Sequence, residues 1–168
     1  QTFVLPANTV NFSITAVGGG GGGGNENQNA QAGGTTTVEL FDGASSQQTW
    51  TATGGTADNG SPSSSSSVRN AKASIFGASP AAGSSGRGAF DRVLISINPI
   101  IQYRNDYYRA GNVGTPTYVN NRDVSTLTTP QLVITIGAGG IDATGSPSES
   151  QSTNGVSGAV LITYNTEG

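Results

Sequence analysis

The sequence contains no cysteine, no histidine and no methionine. Without cysteine there can be no disulfide and no thiolate nucleophile, and without cysteine or histidine the usual ligands of a zinc site are missing. A Ser-His-Asp triad needs histidine, and a Ser-Lys dyad would depend on Lys72, the single lysine, which lies in no SxxK motif. We therefore predict that the protein is not an enzyme and that it binds no metal or other cofactor.

Charge is also scarce, since charged residues make up 10% of the chain and the formal net charge is −3. No basic stripe is present, so we expect no nucleic-acid binding. No apolar run approaches the roughly 20 residues that a membrane-spanning helix needs, so we expect no membrane insertion. Because the chain begins at Gln1 and not at a methionine, we expect a processed product or an excised segment.

Short runs of alternating apolar and polar residues predict β-strands along the whole chain. In NFSITAV at 11–17, the apolar residues Phe12, Ile14 and Ala16 share one face. A short opening strand precedes Pro6, and a short Ile75-Phe76 stretch stands alone. The other predicted strands and their inner faces are 35–42 (Val38, Leu40), 47–53 around Trp50, 90–97 (Val93, Ile95, Ile97), 131–137 (Leu132, Ile134, Ile136) and 159–164 (Val160, Ile162, Tyr164).

No window carries the apolar period of an amphipathic helix. Seven or eight short strands joined by long connections favour an all-β fold. We therefore predict a single glycine-rich domain over residues 1–168, built as an antiparallel β-sandwich of jelly-roll type with long Gly/Ser-rich loops.

A run of seven glycines follows the second strand: Gly18, Gly19, Gly20, Gly21, Gly22, Gly23 and Gly24. Such a run fits neither a helix interior nor an ordinary paired strand, because glycine loses the most backbone entropy and has no side chain to pack. Two alternatives remain, a flexible surface loop and an extended left-handed segment of the polyproline II type. Only glycine would let segments of the second kind pack backbone against backbone.

The remaining chemical motifs are weak. Carboxylate pairs such as Asp91 with Asp106, or Asp42 with Asp58, are conceivable, but a glycosidase needs its two carboxyl groups across one sugar cleft. We favour turn roles for Asp42, Asp58 and Asp142. The polyglycine run lacks the GxxxxGK[ST] pattern of a phosphate loop, and GAGG at 137–140 has no following helix.

The best candidate for a binding surface is the segment that is richest in aromatic and arginine residues. Tyrosine offers a flat apolar ring with a polar tip, and arginine adds a planar set of donors, so both are common at binding hot spots. The alternative is that these side chains cap the core or lie at a subunit interface. Trp50 is better explained by core packing than by sugar stacking. The candidate contact residues are Tyr103, Arg104, Tyr107, Tyr108, Arg109 and Tyr118.

Several segments in a fixed order carry a resemblance. TFVLPANTVNFSITAVGGGGGGG at the start, then GGTTTVEL, WTATGG, TPQLVITIGAGG and GVSGAVLITY are together similar to the glycine-rich domains of bacteriophage tail and tail-fibre proteins. The chain departs from that pattern over 90–123, and we expect residues 98–130 to form an irregular insertion or contact segment. The resemblance implies a virion appendage protein, commonly a trimer.

The leading hypothesis is therefore a virion structural protein, a tail-fibre or appendage module for assembly and attachment to a host-surface glycan or protein. Its partners would be copies of itself or other virion proteins, and it would lie outside the cell on the virion. One alternative is a secreted or cell-surface filament subunit or adhesin. A second alternative is a polysaccharide-degrading enzyme on a β scaffold.

Overall fold

The computed structural model describes residues 1–23, 30–57, 90–97, 100–107, 111–141 and 154–167, with only the strands and their pairing described for 90–97 and 100–107. All regular elements in these ranges are β-strands, with no helix among them. The strands are β1 (Thr2–Val4), β2 (Thr9–Val17), β3 (Thr36–Asp42), β4 (Ser45–Ala52), β5 (Phe90–Ile97), β6 (Ile100–Tyr107), β7 (Pro116–Asp123), β8 (Pro130–Thr135) and β9 (Ala159–Thr166).

Two antiparallel sheets carry most of these strands, which confirms the predicted antiparallel all-β class. One sheet has four strands in the order β1-β8-β3-β4, and the other has three in the order β7-β2-β9. β5 and β6 form a separate antiparallel hairpin. Chain neighbours are therefore adjacent only in β3-β4 and β5-β6, and the remaining pairs join strands that are distant in sequence.

One hydrophobic core receives side chains from both sheets. Phe12, Ile14 and Ala16 are buried on β2, as their alternation predicts, and they meet buried residues of the four-stranded sheet such as Val38 and Leu40. Leu132 on β8 and Ala52 on β4 complete the four-stranded side of this core. Sequence periodicity therefore identified the inward faces of β2 and β3 correctly.

Trp50 is a core residue, as the sequence analysis favoured. Its ring is partly buried and stands edge-on to Phe12, with ring centroids 5.9 Å apart and planes at 85°. Edge-to-face geometry is a favoured arrangement of aromatic pairs, because the positive ring edge meets the negative ring face. The contact joins β4 of one sheet to β2 of the other.

The two sheets also meet along their margins. On one side, the Thr117 hydroxyl on β7 donates to the backbone oxygen of Thr51 on β4 at 2.7 Å. On the other side, the rings of Phe3 on β1 and Tyr164 on β9 lie 6.3 Å apart. These contacts fix the edge strands of one sheet against those of the other.

Two sequence predictions need correction. Ile136 was expected on the inner face with Leu132, but it is 42% exposed, because β8 ends at Thr135 and the chain then leaves the sheet. The segment 98–130 was expected to be an irregular insertion or a contact segment. It contains β6 and β7 and is therefore not irregular throughout, and its role as a contact segment stays a prediction. β7 was not predicted as a strand, because a bulge interrupts its alternation of apolar and polar residues. At this bulge two residues, 120 and 121, lie opposite Ser13. The short Ile75-Phe76 stretch lies outside the described residues.

Candidate functional site

Six glycine-rich segments extend the two sheets at one end, and we call them together the glycine bundle. Five of the segments directly precede or follow a strand, and the sixth is separated from β8 by one residue. Strands of both sheets are therefore continued into the same structure. The segments are 18–23 after β2, 31–35 before β3, 53–57 after β4, 111–115 before β7, 137–141 after β8 and 154–158 before β9.

The central segment 18–23 donates hydrogen bonds with a period of three residues. Three residues per turn is the repeat of a polyproline II helix, so successive N–H groups point in three directions. The N–H groups of segment 18–23 accordingly donate to three neighbouring segments in turn, and every third residue donates to the same segment. The donors are Gly18 to Thr115 O (3.4 Å) and Gly21 to Asn112 O (2.9 Å), Gly19 to Gly34 O (2.9 Å) and Gly22 to Gln31 O (3.0 Å), and Gly20 to Val156 O (2.9 Å).

The other two segments reach the centre through its carbonyl groups. Gly55 N donates to Gly19 O at 2.7 Å, and Gly140 N donates to Gly20 O at 2.7 Å. The outer segments also bond one another in sequence around the centre. Those bonds are Thr115 N to Thr53 O, Asn112 N to Thr56 O, Gly33 N to Gly55 O, Gly34 N to Ala138 O, Gln31 N to Ile141 O, Gly155 N to Gly140 O and Gly158 N to Gly137 O.

Glycine is needed here for its missing side chain and not for its backbone freedom. A Cβ at Gly19 would lie 2.1 Å from the Ala138 backbone oxygen, and one at Gly33 would lie 2.0 Å from the Gly19 oxygen. Among the described glycines, only Gly43, in the turn between β3 and β4, has a positive φ, of 59°. Of the two alternatives for the polyglycine run, the extended segment is observed for Gly18–Gly23, and Gly24 lies outside the described residues.

On two of the outer segments the exposed side chains are three residues apart and point away from the bundle. On segment 53–57 the exposed residues are Thr53 and Thr56, and on segment 111–115 they are Asn112 and Thr115. The Asn112 amide donates to the Thr56 hydroxyl at 2.8 Å, which ties these two segments together from outside. The interior of the bundle is therefore backbone, and its surface here is polar.

The described ends of three connections meet at the end of the bundle far from the sheets, which we call the loop end. Gly22 is bonded to Gln31, Thr56 to Asn112, and Gly140 to Gly155. The chain between the first pair includes residues 24–29, that between the second includes 58–110, and that between the third includes 142–153. The two described ends of each connection are therefore joined by a backbone hydrogen bond.

Five of the six candidate contact residues belong to the connection 58–110. Tyr103, Arg104 and Tyr107 lie on β6, and nothing beyond their strand positions is described. Tyr108 and Arg109 lie outside the described residues. Whether these residues bind a partner stays a prediction.

Tyr118 is placed elsewhere, on β7 within the three-stranded sheet. Its side chain is 60% exposed and shares the outer face with Thr15 and with Leu161, which is 45% exposed. The structure therefore separates Tyr118 from the loop end by the length of the bundle segment 111–115.

Three of the acidic residues named in the sequence analysis, Asp42, Asp91 and Asp106, lie on described strands. Asp91 and Asp106 are directly opposite each other in the β5-β6 hairpin. Asp42 accepts hydrogen bonds at Oδ1 from Thr128 N (3.1 Å), Thr129 N (2.7 Å) and the Thr129 hydroxyl. Its turn role is thus to hold a second loop, 128–129, against the β3-β4 turn. Asp58 and Asp142 lie outside the described part of the chain.

Asp123, at the end of β7, has a lowered pKa. The main cause is the Ser125 backbone N–H, which donates to Oδ1 at 2.9 Å, followed by the Ser125 hydroxyl at 2.7 Å and the nearby Arg122 charge. Hydrogen bonds to a carboxylate favour its ionised form. The contact is local and gives a cap to the turn after β7.

A groove lies at the opposite end of the molecule from the loop end. It has a volume of about 640 Å³ and is bordered by the turn 5–9, the loop 124–129 and Glu167. Its lining mixes apolar side chains such as Leu5 and Leu127 with threonine hydroxyls. Within the described ranges there is no cluster of three or more potential metal-ligating His, Cys, Asp or Glu residues, and no helix that could span a membrane.

Searches with protein-family models, curated protein sequences and solved structures each found no match to this chain.

Proposed function

We propose that the protein is a virion structural protein, a β-sandwich module of a phage tail fibre or other appendage that assembles on the particle and attaches to the host surface. The observation that carries the proposal is the convergence of three connections at the loop end of the glycine bundle. The sheets and bundle serve as a rigid support, and the connections serve as the contact surface. No catalytic step is part of this function.

The bundle is suited to holding the described ends of the three connections away from the sheets. Its central segment is bonded to five neighbours, and all of Gly18–Gly23 are buried. Backbone hydrogen bonds that are shielded from water open rarely, so segments of this kind exchange slowly and move little. Loops on a rigid support lose less entropy on binding than free loops do.

The connection 58–110 is the strongest candidate for host contact. It carries five of the six tyrosine and arginine candidates, and these residue types dominate binding hot spots. Both of its ends are fixed, because Asn112 N donates to Thr56 O at 2.9 Å and the two side chains are also bonded. Sequence changes inside this connection can therefore alter binding without disturbing the bundle.

The same geometry provides the test. Replacing residues 58–110 by a short Gly-Ser turn joins Ala57 to Gly111 across an existing hydrogen-bonded pair, so the shortened protein should fold. We expect the full chain to reduce adsorption of the particle to its host in competition, and the shortened chain to compete at least about tenfold less well, as expected for a loss of about 1.4 kcal/mol or more. Val4→Ser, at an exposed residue beside the groove at the opposite end, is the control, and it should compete as well as the full chain.

Location is tested separately by electron microscopy. Antibodies against the purified chain should label the appendages of the particle, in keeping with an extracellular virion protein that assembles with itself or with other virion proteins. Absence of label from all appendages, or equal competition by the full and shortened chains, would contradict the proposal.

A further inference from the structure

The edges of the two sheets are protected unequally. An open edge strand exposes unpaired backbone groups, and proteins usually shield it by shortness, proline, charge, a bulge or a covering element. β1 is only three residues long. β4 is covered in part by β7, whose Thr117 hydroxyl occupies the Thr51 carbonyl oxygen. β7 begins at Pro116 and ends in the charged pair Arg122 and Asp123 after its bulge.

β9 carries the fewest of these devices, since its cover among the described residues is the Phe3 ring of β1, which lies beside Tyr164. It has eight residues, Ala159–Thr166, with neither charge nor proline, and it pairs with β2 on one side only among the described strands. The extra residue in the β2-β9 pairing lies on β2, since Thr9 and Asn11 face the consecutive residues Thr166 and Asn165. β9 is accessible, because Leu161 is 45% exposed and Tyr164 is 44% exposed.

We propose that the free edge of β9 pairs antiparallel with β9 of a second copy of this chain. An uncharged strand is self-complementary, since no like charges meet when it pairs with its own copy. The two three-stranded sheets would then become one continuous six-stranded sheet. This assembly is a pair and not the trimer that the resemblance favours, and it stands independently of the proposed function.

The apolar pattern of β9 selects a register. Val160 and Ile162 line the inner face with Tyr164, opposite Ala16, Ile14 and Phe12 of β2. A two-fold axis through Ile162 keeps this face inward in both copies and sets Ile162 against its own copy. Val160 then faces Tyr164 of the second copy, so apolar residues meet apolar residues along the joined inner face.

The oligomeric state of the full chain tests the proposal. One strand pair is smaller than a standard interface, so we expect a dimer with a dissociation constant of about 10–100 μM, visible by sedimentation between about 5 and 500 μM protein. Leu161→Lys and Thr163→Lys each place a charge on the pairing edge and should weaken the dimer at least about tenfold. Ile136→Lys, at a comparably exposed isoleucine outside β9, should leave it unchanged.

Two further readouts keep the test independent of mutant folding. Hydrogen exchange of the unmodified chain should slow in β9 as its concentration rises, with β4 and β7 unaffected. Because the chain has no cysteine, Ile162→Cys gives one thiol per copy at the two-fold axis, and it should form a disulfide-linked dimer that Val160→Cys does not form. A monomer at every concentration, or an oligomer indifferent to the β9 variants, overturns the proposal.

Discussion

The buried hydroxyl of Thr36 accepts a hydrogen bond from the backbone N–H of Gly137 at 3.0 Å. Thr36 is the first residue of β3, and Gly137 opens the segment that follows β8. A Cβ on a third residue, Gly158, would lie 2.3 Å from the same hydroxyl. Three chain segments therefore meet at this one side chain, at the boundary between the sheets and the glycine bundle.

Thr36→Val tests this boundary contact. Valine matches the shape of threonine but cannot accept the hydrogen bond, so the Gly137 N–H would be buried without a partner. We expect a loss of about 1–3 kcal/mol in the free energy of unfolding, measured by denaturant titration. Thr37→Val, one residue along on the half-buried outer face, should change stability by less than about 0.5 kcal/mol. Equal effects of the two changes would contradict the assigned role.

Gly19→Ala tests the backbone packing of the bundle. The new Cβ would lie 2.1 Å from the Ala138 oxygen, and that oxygen is fixed by the Gly34 N–H, so neither group can move away cheaply. We expect a loss of about 3 kcal/mol or more by thermal or denaturant unfolding. The control is Ala138→Ser at an exposed bundle position. A Gly19→Ala protein as stable as the parent would show that the segments are not in close contact.

Phe12→Ala tests the core contact between the two sheets. Phe12 is fully buried and meets Trp50 edge-on, so its truncation leaves a cavity beside the only tryptophan. We expect a loss of about 3–5 kcal/mol in unfolding free energy. Trp50 fluorescence should shift to longer wavelength as water reaches the ring. Phe41→Ala, at a half-buried position, should cost less and leave the emission unchanged.

Asp123 predicts a pH dependence that can be traced to Ser125. Because the pKa of Asp123 is lowered in the folded state, its contribution to stability is present above the pKa of the unfolded chain. That contribution is lost as the pH falls through the lowered folded value. Carboxyl NMR titration should show a folded pKa below the usual range. Ser125→Ala removes the hydroxyl but keeps the backbone N–H, so it should raise the pKa only in part, and an unchanged titration in that variant would refute the contribution of the hydroxyl.

The strands of the two sheets were largely predictable, because period-two alternation is a local property of the chain. β2 shows this directly, since Phe12, Ile14 and Ala16 alternate with polar residues and all three are buried. β7 was missed, because its bulge brings Asn120 and Asn121 together and breaks the alternation around Val119. Asn121 takes a φ of 49°, and its N–H donates to the Ser13 hydroxyl.

The candidate site was predictable in part. The tyrosine and arginine residues of 98–130 stand out by type, but their sequence positions do not show that Tyr118 lies on a sheet face away from the loop end. Thr56 and Asn112 are far apart in the chain, and nothing in the sequence around either residue predicts that they are bonded to each other. Only the bonded pair reveals that the connection between them begins and ends at one place.

The sequence by itself determined the inward faces of β2 and β3, the absence of thiol and imidazole chemistry, and the need for an extended or flexible polyglycine run. The tertiary structure alone decided that Gly18–Gly23 lie at the centre of five other segments. The physical reason is that backbone N–H and C=O groups are the same in every residue. The sequence of a polyglycine segment therefore does not show which other segments it will bond to. The neighbours are set by the sheets from which the segments extend, and those are held by side chains such as Phe12 and Leu40.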